Sequence, residues 1–232
     1  MSTGPYYQDD LVTLYHGDCR EITAWLDADV LVTDPPYGRA IELGSGLKNS
    51  AGRGRARKQG GMIIGDQDTE ARDRALTMWG SRRLSVVFGD LLIAQPIGAV
   101  QTLIYAKSSD AGIRGARGGF RRDAEAIYLC GPWPAAIGGR TSIIHTNGRV
   151  ATPRGVATIT GHPHAKPMDV MATLITACPS GVVADPFAGS GSTLLAAKFL
   201  GRRCVAVEVE ERYCEITARR LDQGVLDFGE AS

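Results

Sequence analysis

Apolar positions along this chain fall into two alternating kinds of run. Short stretches rich in Val, Ile, Leu and Tyr occupy 11–15, 30–33, 84–88, 102–106, 124–130, 182–184 and 204–207. Between them, apolar residues recur at three- and four-residue spacing, which predicts helices over 20–26, 69–80, 166–178 and 192–200, with a closing helix to about Leu221. A further helical stretch is expected from Asp90, interrupted at Pro96. Pro167 suits a first helical turn, followed by Met168, Met171, Leu174, Ile175 and Cys178 on one face. Seven strands alternating with at least five helices predict an α/β domain with a crossover sheet. Two segments fit neither pattern. Residues 38–61 read as a long flexible basic loop, and 131–165 as an irregular Gly-, Pro- and Thr-rich insertion.

A length of 232 residues matches one domain carrying a modest insertion, and 44% apolar with 22% charged residues excludes a wholly disordered chain. No apolar run approaches the roughly 18 residues of a membrane span. Residues 1–10 lack the basic-then-apolar order of a signal peptide, so a cytoplasmic protein is expected. The five cysteines are scattered without a C-x-x-C pair, which favours buried reduced thiols over zinc or disulfides. His162 and His164 have no cysteine or carboxylate beside them, so no metal is expected.

Net charge is only +1, but it is unevenly distributed. Residues 39–60 carry six basic side chains and one acidic, 107–122 carry five and one, and 205–232 carry seven acidic against three arginines. The two basic stretches suit contact with phosphates.

In open α/β sheets, ligands bind beyond the carboxyl ends of the strands. Asp18, Asp34, Asp185 and Glu208 all fall there. The segment 182–193 reads strand, Gly-rich turn, helix, with Gly189 and Gly191 permitting close backbone approach and a helix N-terminus behind them. Glu208, 17 positions after Gly191, is placed to accept both hydroxyls of a ribose. Leu194 stands where a dinucleotide fingerprint needs a third small residue, no Lys follows as in a P-loop, and Ser190 lacks nucleophile-elbow spacing. The other special segment is Asp34-Pro35-Pro36-Tyr37. Its prolines free carbonyls to accept hydrogen bonds, its carboxylate accepts N–H groups, and its ring can stack on a planar base.

Together these two segments resemble the catalytic and cofactor motifs of the amino DNA methyltransferases. Catalytic motif first and glycine motif last is similar to the β-type permutation of that family. His162-Pro163-His164-Ala165-Lys166-Pro167 resembles its H-P-x-x-K-P element, Gly17-Asp18-Cys19 its G-D-C/S segment, and Phe120-Arg121-Arg122 its arginine loop. The resemblance covers about residues 10 to 221.

It implies a Rossmann-like class I methyltransferase fold: a seven-stranded, mostly parallel sheet with helices on both faces, in a single domain over 1–232. It implies S-adenosyl-L-methionine as cofactor, held by Asp18, Cys19, Lys166, Pro167, Asp185, Pro186, Phe187, Gly189, Gly191, Thr193 and Glu208. Asp34, Pro35, Pro36 and Tyr37 would be catalytic, acting on an exocyclic amine of a base flipped out of double-stranded DNA. Arg53, Arg55, Arg57, Lys58, Arg121 and Arg122 are the expected DNA contacts. Sequence readout is expected from 131–165, through Arg140, His145, Asn147, Arg149 and Arg154. Asp at position 34 favours adenine N6 over cytosine N4. An RNA methyltransferase is opposed by motif order, and a non-catalytic DNA-binding module by the intact motifs. A fused nuclease has no room, so the chain is expected to protect DNA, as restriction-modification methyltransferases or a solitary phage-type enzyme do. A homodimer is left open.

Overall fold

The computed structural model describes residues 4–38, 67–107, 117–135, 138–146 and 165–223. Among the described residues nine strands form one sheet: β1 (Tyr7–Gln8), β2 (Val12–His16), β3 (Val30–Thr33), β4 (Ser85–Gly89), β5 (Ala99–Ala106), β6 (Ala124–Cys130), β7 (Ile143–His145), β8 (Val183–Asp185) and β9 (Cys204–Glu208). Their spatial order is β1-β2-β9-β8-β3-β4-β6-β5-β7. From β2 through β4 every neighbouring pair is parallel. The β6 strand then runs antiparallel to both β4 and β5, while β7 lies parallel to β5.

Side-chain alternation sends the two faces of this sheet to different helices. Val30 and Val32 of β3 join Val12, Leu14, Val86, Phe88 and Ile127 in one core. Helices α2 (Met168–Ala177), α3 (Ser192–Phe199) and α4 (Glu211–Asp222) cover that face through Met171, Ile175, Leu194, Cys214 and Leu221. Leu31 points the other way, to Trp25 of a short 3-10 helix (Ala24–Asp27) and to Ala75 and Trp79 of α1 (Glu70–Trp79). Trp25 and Trp79 stack with ring centroids 6.0 Å apart, and the Arg83 guanidinium covers Trp79 at 3.5 Å. All five cysteines are buried free thiols.

Four expectations are corrected. The sheet has nine strands rather than seven. Strand β1 is only two residues long, and β7 lies inside 131–165, making part of that segment framework. No helix follows Asp90: its carboxylate accepts the Leu92 N–H at 2.8 Å, and its carbonyl accepts the Ile93 N–H. That local turn competes with the helix, leaving Leu92 and Ile97 exposed. The expected helix over 20–26 shrinks to the 3-10 turn at Ala24–Asp27. Among the described residues no helix is long and apolar enough to cross a membrane.

Candidate active site

Parallel pairing of β3 with β8, and of β2 with β9, brings four chain segments to one sheet edge. There Asp34 follows the last residue of β3, Asp185 ends β8 and Glu208 ends β9; Asp18 lies two residues past β2.

At Asp185 the chain turns sharply into α3. The Asp185 carboxylate is buried, accepting the Thr33 hydroxyl at 2.7 Å and the Phe187 N–H at 3.1 Å. Burial pushes its pKa up to about 7, against those hydrogen bonds and one from Thr193. Gly191 caps α3 in the left-handed region at φ 84°. A Cβ there would lie 2.5 Å from Thr217 Cγ2, so the turn requires glycine. The Gly189 N–H donates to Glu208 Oε2 at 2.7 Å, and the Glu210 N–H to Oε1 at 2.8 Å. Burial raises the Glu208 pKa against these bonds. Ser190 Oγ and Ser192 Oγ in this turn are buried without a hydrogen-bond partner. A buried water or a polar ligand would satisfy these hydroxyls.

A cavity of about 530 Å³ opens beside the turn, lined by Asp18, Cys19, Pro36, Pro186, Phe187 and Glu208. Its size suits a nucleoside-sized ligand. Gln67, Asp68, Glu70 and Ala71 form another part of the wall. Sequence reasoning missed these four, because the start of an ordinary amphipathic helix carries no local sign of facing a cavity. Both oxygens of Asp18 are engaged by Arg20, at 2.5 Å for the closest contact, which lowers the Asp18 pKa.

Asp34 and Tyr37, which flank the two prolines in the chain, belong to a compact charged group. The Tyr37 hydroxyl donates to Asp34 Oδ1 at 2.7 Å, and the Lys166 ammonium to Asp34 Oδ2 at 2.5 Å and to the Tyr37 oxygen at 3.0 Å. Lys166 Nζ also lies 3.3 Å from Glu125 Oε2, and Lys107 Nζ holds Glu125 Oε1 at 2.5 Å. Burial works against the charge on Lys166, yet the Asp34 and Glu125 carboxylates outweigh it and hold its pKa above the usual lysine value. Burial would likewise neutralise Glu125, but Lys166 and Lys107 bring it down to about 2.

The predicted residues thus divide. Asp18, Cys19, Pro186, Phe187 and Glu208 line the cavity, while Gly189, Gly191 and Thr193 build the turn beside it. Lys166 stands with Asp34 and Tyr37 instead of lining that cavity, and Pro167 caps α2. Glu125 was not anticipated. Its signal was a lone carboxylate on an otherwise apolar strand, two positions from buried Ile127. Arg121 and Arg122 are exposed, with Arg121 4.0 Å from Asp123. Arg140 and His145 are exposed as well. Arg53, Arg55, Arg57, Lys58, Asn147, Arg149, Arg154, His162 and His164 lie outside the described residues.

Residues 133–219 match the family model of N6 and N4 methyltransferases described as DNA methylase. Type II methyltransferase M.ScaI of Streptomyces caespitosus is 46% identical over 65 residues, 27% of this chain and 21% of that one. The match therefore spans about a fifth of M.ScaI. YubD of Escherichia coli (strain K12), named as a methylase, is 26% identical over 229 residues, covering 88% of each chain. Among solved structures, the M1.HpyAVI–SAM complex superposes with a TM-score of 0.61 at 21% identity, covering 91% of this chain and 100% of that one. The resemblance to the amino DNA methyltransferases and the Rossmann-like methyltransferase fold are both borne out.

Proposed function

We propose that this chain, a DNA methyltransferase of the N6-adenine and N4-cytosine family by motif, fold and family match, methylates the N6 amino group of adenine in double-stranded DNA. The carrying observation is that Asp34 and the Asp185–Gly191 turn follow the paired parallel strands β3 and β8, and that Pro36 of one segment and Pro186 of the other line the same cavity. S-adenosylmethionine supplies a methyl group made electrophilic by its sulfonium. The residues present fit that cofactor. Glu208 and Asp18 line the cavity, where they would meet the ribose and the adenine end, and Ser190 and Ser192 lie in the turn that would hold the methionine end.

Chemistry at the amine follows from the residues around Asp34. An exocyclic amine is a poor nucleophile because its lone pair is delocalised into the ring. Asp34 and the Pro35 carbonyl, accepting its two N–H groups, would draw the nitrogen toward tetrahedral geometry and localise that pair. The Asp34 carboxylate would stabilise the positive charge that develops on nitrogen as it takes the methyl group from the sulfonium, and the proton the nitrogen then sheds would pass to solvent. Holding the target nitrogen in line with the methyl group would supply much of the remaining rate. A flipped base would stack on Tyr37. The exposed Arg121 and Arg122, with the basic stretch 53–58, are the proposed phosphate contacts. Cytosine N4 is the alternative substrate; Asp at position 34 favours adenine.

The test is direct. Purified protein is incubated with tritium-labelled S-adenosylmethionine and plasmid from a methylation-free host, and the DNA is digested to nucleosides. Label in N6-methyldeoxyadenosine is expected. Label in N4-methyldeoxycytidine would overturn the base assignment, and label only in added RNA would overturn the substrate.

A further inference from the structure

Both oxygens of Asp34 are already engaged, one by the Tyr37 hydroxyl and one by the Lys166 ammonium. A target amine must donate to this same carboxylate, and an ammonium at 2.5 Å cancels the charge that should stabilise the developing cation. Lys166 is 6% exposed in its side chain, so it cannot simply swing into water. Release into a buried space without a second anion would leave an uncompensated charge.

One further oxygen stands ready for both groups. Glu125 Oε2 lies 3.3 Å from Lys166 Nζ and 3.3 Å from the Tyr37 hydroxyl. A shift of about 0.5 Å brings either to full hydrogen-bond distance. Glu125 is itself fixed, because Lys107 grips its other oxygen at 2.5 Å and the residue is paired in β6 opposite Tyr105 of β5. It does not line the cavity, and its side chain is 13% exposed.

We infer that Glu125 is a positioning residue that receives the Lys166 ammonium and the Tyr37 hydroxyl as the target base displaces them from Asp34. The exchange keeps Lys166 paired throughout and returns the Asp34 charge to the reacting nitrogen. The inference rests on the methyltransferase reading and adds a residue to that site.

Glu125→Gln and Glu125→Asp test it, using tritium-labelled S-adenosylmethionine and methylation-free plasmid under single-turnover conditions. Calorimetry gives the cofactor dissociation constant. Expected for Glu125→Gln is a single-turnover rate about tenfold lower, with cofactor affinity within about twofold of wild type. Glu125→Asp, which keeps the charge, recovers part of that rate. A wild-type rate in Glu125→Gln overturns the inference, as does a matched loss of rate and cofactor affinity, the sign of a merely structural role. Should Glu125→Gln not fold, a wild-type rate in Glu125→Asp overturns it, because the shorter side chain withdraws the receiving oxygen. Failure of the wild-type chain to methylate DNA instead defeats the functional reading itself.

Discussion

Lys166 and Asp34, 132 positions apart in the chain, meet at 2.5 Å across the carboxyl edge of the sheet. One residue stands just before α2 and the other just after β3, so the fold has to form before the pair exists. The pair joins the H-P-x-x-K-P element to the D-P-P-Y element in one charged group that also contains Glu125 and Tyr37.

Removing the ammonium exposes how much this group depends on it. Lys166→Met leaves Asp34 and Glu125 partly buried with one fewer cation between them, and a loss of about 3 kcal/mol is expected. Urea unfolding measures it. An unchanged midpoint would mean that solvent screens the pair.

Gly191→Ala tests the turn. The alanine would have to adopt a left-handed φ of 84° with its Cβ 2.5 Å from Thr217 Cγ2. Strain and displacement together should cost about 2 kcal/mol, and cofactor binding by calorimetry should weaken in parallel. Gly80→Ala is the control: its φ is also positive, but its Cβ would meet nothing within 4 Å, so stability should fall less and cofactor affinity should hold.

Much of this was legible because the chemistry was local. Asp34 to Tyr37 and Asp185 to Gly191 each lie within one turn of chain, so strand ends and glycines revealed them. The Glu125 role was not, because it arises from antiparallel β6 crossing beside β4, a pairing that a sequence pattern does not specify. Strand β7 escaped notice because three residues, one of them His145, show no alternation to read. The helix expected from Asp90 does not form, because the Asp90 side chain closes a turn on the backbone two residues on.

Stability should fall as pH rises toward neutrality, and Asp185 sets the sign. Its folded pKa of about 7 lies above the unfolded value of about 3.9, so its contribution is full below about pH 4 and lost as pH rises through 7. Glu125, held near 2, contributes in the opposite sense, and its stability is lost only as pH falls from about 4.3 toward 2. Between pH 5 and 8, melting temperature should therefore decline in the wild type and decline less in Asp185→Asn. Parallel curves would contradict a protonated Asp185.

Catalytic and cofactor residues should separate kinetically. Asp34→Ala should lower the single-turnover rate by at least about 10²-fold while cofactor affinity stays near wild type. Glu208→Ala should weaken cofactor binding by about tenfold or more, since it removes a carboxylate from the cavity wall and two backbone hydrogen bonds from the turn. Equal effects of the two variants on both quantities would contradict the division of the site.

The most direct measurement is single-molecule sequencing of DNA from methylation-free cells expressing this chain, beside cells expressing Asp34→Ala. N6-methyladenine at one recurrent sequence, absent with Asp34→Ala, is the expected result. Unmodified DNA from cells holding abundant folded protein, or modification that survives in Asp34→Ala, would contradict the assignment of this site to DNA methylation.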